Sequence, residues 1–393
     1  MKEFKVLMFG PQRVGKTSVL SSMLKQFKSE TAITDINISL TPDEITKDVV
    51  EAKIKDLKEI FDKKASDKSD DRWTIDTNKT PAKEKYRFIM SVAGAADDIG
   101  ITFTDIPGEW LREQSKKTAN GEIDNVTEKE LQKELQESSV IIVAIDTPHL
   151  MEENGMYHDA CNFGGHVNRL IQQSSGEKMC PKLVLFVPLK CEKYYHEGRM
   201  DEVNKAVKDK YKMAIASMSK GEKAENYMVA ITPIITLGGV VFDDFGRDSE
   251  GYVEIITDNA MSFSKPKAAF YKLYDKAPKF APKFCEQPLL YILKFILDIT
   301  DFEPPKKASR SFIKEVFKPT KGMKSIYNKI MGKGDKIEIG FEDLLLLNPQ
   351  VLIFGRALQY VFTPEAQNNI QEAVLKLKVS GSGYEVLQNP FEK

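Results

Sequence analysis

Cysteine is scarce in this chain, with four in 393 residues at Cys161, Cys180, Cys191 and Cys285. They are too scattered for a zinc site or a disulfide framework, so reduced thiols are expected. Net charge is missing too. With 57 Lys+Arg against 58 Asp+Glu the balance is −1, and no global field selects nucleic acid or a membrane. No uncharged apolar run reaches the roughly 20 residues that span a bilayer. No leader is expected either, because an apolar strand begins at the fourth residue. Internal repeats and low-complexity tracts are not evident. With 41% apolar and 29% charged residues, the expectation is a soluble, cytoplasmic globular protein. The length suits one large domain with insertions, or two domains.

Against that plain background one stretch stands out. Gly10-Pro11-Gln12-Arg13-Val14-Gly15-Lys16-Thr17 matches the phosphate-loop template: glycine, four residues, then glycine-lysine-threonine. The template needs a strand before it and a helix after it. Phe4 to Phe9 is a short apolar run suited to a buried strand. Thr17 to Phe27 follows as a predicted helix, with Val19, Leu20, Met23, Leu24 and Phe27 along one face. Glycines let consecutive amides turn inward on an anionic phosphate chain, and the helix start adds partial positive charge. Gly10, Arg13, Val14, Gly15, Lys16, Thr17 and Ser18 are therefore the expected phosphate-end residues. Lys16 would reach the β- and γ-phosphates and Thr17 would offer its hydroxyl to Mg²⁺. Arg13 has two readings, a neutraliser of phosphate charge or a solvent-exposed side chain.

A second stretch, Ile101 to Glu109, places an aspartate at the end of a β-branched strand and a glycine three residues later. Downstream of a phosphate loop, Asp105 suits the Mg²⁺ shell and the Gly108 N–H suits the γ-phosphate. Between these two stretches, Thr41, Pro42 and Glu44 predict a helix start, with Thr41 as N-cap and Pro42 at the first position. Ile45, Val49, Ile54, Leu57, Ile60 and Phe61 continue it for about twenty residues. Further strands are predicted over Tyr86 to Val92, Val140 to Asp146, Lys182 to Leu189 and Val229 to Leu237. Helices are predicted over Glu128 to Ser138, His166 to Gln173, Val203 to Met218 and Glu286 to Ile299. Phe242 to Lys283 reads as an insertion with a hairpin, including a strand near Tyr252 to Thr257. The alternation predicts an α/β fold, a doubly wound and mostly parallel sheet with nucleotide at the strand carboxyl ends.

The last hundred residues change character. Pro304 to Gly334 carries nine basic residues and one acid, Glu315, interleaved with Phe312, Phe317 and Tyr327. It reads either as a contact for a membrane surface or an acidic partner, or as an amphipathic linker with a solvated basic face. Nucleic acid is not expected as a ligand. Phe341 to Phe362 and Thr363 to Lys378 are predicted helical, so residues 301–393 form a basic, then apolar, helical extension.

Phosphate binding does not choose the base. GTPases read guanine with an Asn/Thr-Lys-x-Asp loop, and the matching strand end here is Leu189-Lys190-Cys191-Glu192. Lys190 stands where its stem would cover the base, and Glu192 offers a carboxylate one methylene longer. The leading Asn or Thr is absent. Thr236 and Leu237 end the next strand, where a second base-contacting loop would lie.

The segments GPQRVGKT, DIPGE, LKCEKY, TPIITLGG and CEQPLLYIL together resemble P-loop GTPases of the translation-factor-related (TRAFAC) clade. More narrowly they are similar to bacterial double-GTPase-like proteins of conflict and signalling systems. The likeness runs from about Lys2 to Asp298; its first two motifs are general to phosphate-loop proteins and its later three belong to the branch. It implies a Ras-like G domain over residues 1–300, with insertions at about 41–68 and 242–283. It also implies GTP and Mg²⁺ as ligands and a switch-like hydrolytic cycle. By position, Gly10, Gly15, Lys16 and Thr17 cradle phosphate and metal, Asp105 and Gly108 contact metal and γ-phosphate, and Lys190 and Glu192 read the base. Glu109 departs from the pattern, standing where many GTPases carry the glutamine that orients water. Its negative charge beside the γ-phosphate predicts slow intrinsic turnover unless a partner completes the site. Thr80, with Thr77 second, is the candidate for the threonine that closes on Mg²⁺.

Lys16 and Asp105 are 89 positions apart, more than one helix and one strand require. The helix begun at Pro42 is thus inserted in the nucleotide-sensing region, and Ile45, Val49 and Leu57 are its expected effector contacts. Three functions follow: a GTP-hydrolysing switch in a multi-component system, an ATPase of the same fold, or a nucleotide-binding scaffold with little hydrolysis.

Overall fold

A computed structural model describes residues 2–34, 38–66, 72–75, 82–92, 98–113, 125–174, 181–220, 224, 226–258, 263–274, 280–300, 307–309, 336–338 and 385–390. The chain opens with β1 (Lys2–Phe9), α1 (Lys16–Thr34), β2 (Ile38–Pro42), α2 (Glu44–Ser66) and the two-residue β3 (Trp73–Thr74). It continues through β4 (Glu84–Val92), β5 (Ile99–Asp105), α3 (Gly108–Glu113), α4 (Asn125–Glu137), β6 (Val140–Asp146), α5 (Thr147–Met151), α6 (His158–Asn162) and α7 (Gly164–Ser174). Then come β7 (Lys182–Leu189), α8 (Glu192–His196), α9 (Met200–Lys210), α10 (Lys212–Met218) and β8 (Tyr227–Ile231). The remainder is β9 (Val240–Phe245), β10 (Ile255–Asp258), β11 (Phe263–Pro266), β12 (Ala269–Leu273), α11 (Gln287–Thr300), β13 (Lys307–Ser309), β14 (Lys336–Glu338) and β15 (Glu385–Gln388).

Strands covered on both faces need unbroken apolar runs, and β6 and β7 are buried at every position. They sit at the middle of an eight-stranded sheet ordered β15-β8-β7-β6-β1-β5-β4-β2. Neighbours from β8 through β5 are parallel, while β4, β2 and β15 pair antiparallel to their neighbours. The expected α/β sheet, mostly parallel and doubly wound, is the fold observed. Period-two alternation divides β1 between two cores. Phe4, Val6 and Met8 pack with Leu20, Met23 and Phe27 of α1 and with the buried face of α11. Leu7 and Phe9 face Leu131 and Leu135 of α4 and Val167, Leu170 and Ile171 of α7. A third, aromatic core joins Trp73, Val240, Phe242, Phe245 and Tyr271 of a separate sheet ordered β3-β12-β9 to Tyr157, the residue before α6. The hairpin predicted in the insertion is β10 with β11. No helix among the described residues is long and apolar enough to cross a membrane.

Several expectations are corrected. Thr41 and Pro42 do not start a helix; they end β2, the sheet's edge strand, where proline costs no ladder hydrogen bond inside the sheet. Asp43 caps α2 instead, its Oδ1 accepting from Thr46 N at 2.8 Å. The predicted helix over Val203 to Met218 is two, broken at Tyr211, whose ring is buried against Phe186 and His158. The strand predicted to reach Leu237 stops at Ile231, beyond which Ile235 makes a single bridge with Lys283. Thr77, Thr80, the helices predicted over Phe341 to Lys378 and most of the basic Pro304 to Gly334 stretch lie outside the described residues. Within that stretch the backbone of β13 pairs with β14. β15, unforeseen in the sequence, adds to the main sheet beside β8.

The face of α2 is corrected as well. Val50 and Leu57 are buried and Ile54 packs beside them, whereas Ile45 is 77% exposed. Leu57 therefore belongs to the core and cannot be an effector contact. Leu57→Ala should destabilise the fold by roughly 2–5 kcal/mol, while Ile45→Ala stays within about 0.5 kcal/mol. Urea unfolding of the two variants checks this.

Candidate nucleotide-binding site

The carboxyl ends of β1, β5, β6 and β7 gather the predicted residues at one end of the sheet, where open α/β sheets bind ligands. Gly10 leaves β1 so close to β6 that a Cβ would lie 2.5 Å from the Ala144 carbonyl oxygen. Arg13 (φ 58°) and Gly15 (φ 106°) both take left-handed backbone, which curls the loop back toward α1. The helix then starts with Val19 N donating to Gly15 O. Val14 and Ser18 are buried beneath the loop, so they hold its shape.

Inside this turn lies a buried polar cluster. Thr17 Oγ1 donates to Asp105 Oδ2 at 2.9 Å, and Lys16 Nζ lies 3.7 Å from Asp105 Oδ1 and 3.4 Å from the Gly10 and Pro11 carbonyls. Burial pushes the Asp105 carboxyl up and the Lys16 ammonium down, each offset by the other's charge. Asp105 Oδ1 is buried without a hydrogen-bond partner. A hydroxyl beside an under-satisfied carboxylate is a hard-oxygen donor set that suits Mg²⁺. Gly108 passes so close to the loop that a Cβ there would overlap the Gln12 amide nitrogen. Glu109, half-buried, stands in the first turn of α3 immediately after it.

Of the residues predicted to read the base, Glu192, Thr236 and Leu237 also meet. Glu192 is buried at the start of α8, and its Oε1 accepts from Leu237 N at 2.9 Å and from the Thr236 hydroxyl at 3.5 Å. Burial pushes this carboxyl up, opposed by the amide of Leu237 and its neighbours. Lys190 takes left-handed backbone (φ 60°). Its Nζ sits 2.6 Å from Asp146 Oδ2.

The sequence from residue 6 to residue 228, more than half of the chain, matches the Double-GTPase 2 family. The chain belongs to the Double-GTPase 2 family. No curated protein matches it. Among solved structures it is similar to the S. cerevisiae Ski7 GTPase-like domain, bound to GDP and inorganic phosphate, at 13% identity and a TM-score of 0.34. That match covers 66% of this chain and 48% of the other, so the chain spans about half of that structure's length.

Beside the Lys190 loop the structure also gathers residues that the sequence did not single out. Asp146 was visible only as the last residue of β6. Its register opposite Leu189 places it beside the Lys190 loop. It binds Lys190 with one oxygen and His149 Nδ1 (2.7 Å) with the other, while Asn162 bridges both its backbone N–H and C=O. An acid ending an apolar central strand is the signal that could have found it. Burial opposes its ionisation, yet the Lys190 and His149 charges hold the carboxyl well below the usual range. Burial likewise opposes His149, but Asp146 raises that imidazole to about 10.

A histidine raised above its ordinary value near 6.5 stabilises fully below that pH and loses the contribution as pH climbs toward 10. Wild-type protein should thus lose stability between pH 7 and 10, by an amount on the order of a few kcal/mol. His149→Gln should lack that slope. Urea midpoints measured across this window decide it.

Proposed function

We propose that this chain is a GTP-binding molecular switch that hydrolyses GTP slowly, in the cytoplasm, as one part of a bacterial multi-component, defence-type system. Membership of a GTPase family supports the nucleotide and the reaction class. The observation that carries the reading is the buried contact of Thr17 with Asp105, which joins the phosphate loop to the β5 end beside Lys16. Mg²⁺ held here would supply positive charge against the charge developing on the phosphates. The residues of the chain do the rest. Amides from Gly10 to Ser18 and the start of α1 cradle the phosphates, and Lys16 moves onto the β- and γ-oxygens. Thr17 and Asp105 are the residues that would hold the metal. The Gly108 N–H faces the γ-phosphate. Glu192 accepts from guanine N1 and N2, prepositioned by Leu237 N–H, with Thr236 in the same loop. Lys190 lays its stem against the base.

Water attacks the γ-phosphorus, the bond to the β–γ bridging oxygen breaks, and GDP, inorganic phosphate and a proton leave. Glu109 would orient that water at an electrostatic cost, which favours slow turnover until a partner supplies positive charge. Thr80 remains the first candidate for closing on Mg²⁺. Ile45 and Val49, exposed on α2, are the proposed effector contacts, and the basic 304–334 segment is proposed to meet a membrane surface or acidic partner. Glu109 also favours the second reading, a nucleotide-binding scaffold with little hydrolysis.

Phosphate release is expected with GTP and not with ATP, at a rate that Lys16→Ala lowers by at least roughly a hundredfold. Equal release from ATP would reject the guanine assignment, and tight GTP binding without release would favour the scaffold. Glu192→Ala should weaken GDP by about 1–3 kcal/mol while leaving pyrophosphate binding unchanged, as calorimetry would show.

A further inference from the structure

We propose that the inserted β9–β12–β3 sheet is part of the base-recognition machinery, with Tyr271 positioning Lys190 and linking it to Trp73. The inference rests on the GTP-binding reading above. It starts from two cation–ring contacts and one ring–ring contact that dock the insertion beside the Lys190 loop. Lys190 Nζ lies 5.8 Å from the Tyr271 ring, Lys193 Nζ 5.3 Å from the Phe242 ring, and the His149 ring 5.2 Å from that of Phe245. Lys190 and His149 are the two partners of Asp146, so the aromatic core of the insertion touches both ends of that ion network.

Backbone irregularity makes this possible. Along an ordinary strand Phe242 and Phe245 would point to opposite faces. The ladder shifts register between Phe270 and Tyr271, where Asp243 of β9 is passed over. A bulge of this kind re-aims side chains, and both phenylalanines enter one core with Tyr271. Asp243 turns outward to bind Lys272 at 2.6 Å and Arg72 at 3.8 Å. The Tyr271 hydroxyl is buried beside Lys190, close enough that the Lys190 charge acts on it.

The other face of the link is the pairing of Tyr271 with Trp73 and of Phe270 with Thr74. β3 belongs to the chain between α2 and β4, so it lies just ahead of the strand that pairs with the Asp105 strand. Among the described residues two backbone pairs join it to β12, beside Arg72 over the Phe270 ring at 5.0 Å, a short ladder that small changes can loosen or tighten. A base resting on the Lys190 stem alters the contacts of Lys190 with Asp146 and with the Tyr271 ring. Those altered contacts give the two states of the ladder different affinities for nucleotide, and that difference is what couples them.

The test uses Trp73 as reporter. The chain has two tryptophans, so Trp110→Phe leaves Trp73 alone. In that variant, GDP with Mg²⁺ should shift Trp73 emission, whereas pyrophosphate with Mg²⁺, which fills only the phosphate end, should not. Tyr271→Leu in the same background should abolish the shift while calorimetry still registers GDP, weakened roughly tenfold. In wild-type protein, amide hydrogen exchange of 72–75 and 269–273 should slow together with GDP and not with pyrophosphate, which keeps the test alive if Tyr271→Leu does not fold. A Trp73 shift that survives Tyr271→Leu, an unchanged Trp73 emission while GDP binds, or equal responses to pyrophosphate would each overturn the proposal. Failure of wild-type protein to bind GDP in calorimetry would instead reject the GTP-binding reading, and this inference with it.

Discussion

The buried contact between Thr17 and Asp105 is the constraint around which the rest of this protein is arranged. It joins the loop after β1 to the end of β5, the strand beside it, so two adjacent parallel strands present their functional groups at one depth. Neither group is there for stability alone. A carboxylate buried beside one hydroxyl and one distant ammonium pays a desolvation cost that a well-packed apolar pair would not. In the function proposed here, the same oxygens would serve a divalent cation and the same ammonium a phosphate. The close passage of Gly108 over Pro11 and Gln12 belongs to this arrangement, since any side chain there would separate the two motifs.

A second charged pair repeats the logic at the base end. Lys190 and Asp146 end neighbouring strands β7 and β6, and the pair is extended by His149 and Asn162. Lys190 is thereby held by an acid from another motif, and the left-handed backbone at Lys190 aims it there. Glu192 is held separately by Leu237 N–H. Each proposed base contact thus has a named support, which is what precise recognition of a planar base requires. The inserted aromatic sheet then meets this end both through cations facing rings and through Tyr157, which packs edge-on against Phe245.

How much could be read in advance followed the range of the interactions. The phosphate loop, the strand ending in Asp105, and β6 and β7 were legible because their signals are local: a spacing of glycines, a polar residue closing a β-branched run, an unbroken apolar stretch. The start of α2 was misread because Thr41, Pro42 and Glu44 imitate a capped helix, while pairing of β2 with β4 claims Thr41 and Pro42 for the sheet. Leu57 was misassigned because apolar spacing identifies a buried stripe without saying whether Ile45 lies on it. Packing against α1 answered that, placing Val50 and Leu57 inside and Ile45 outside.

By itself the sequence determined the phosphate-binding chemistry and the α/β class, since both rest on residues adjacent in the chain whose backbone and periodicity act locally. Tertiary structure alone decided which acid holds Lys190, where Tyr271 and Trp73 meet, and that β15 joins the sheet beside β8. These pairings connect positions far apart in the chain. Their partners are chosen by strand register and by which buried charge lies within reach, and no local pattern of residues encodes either.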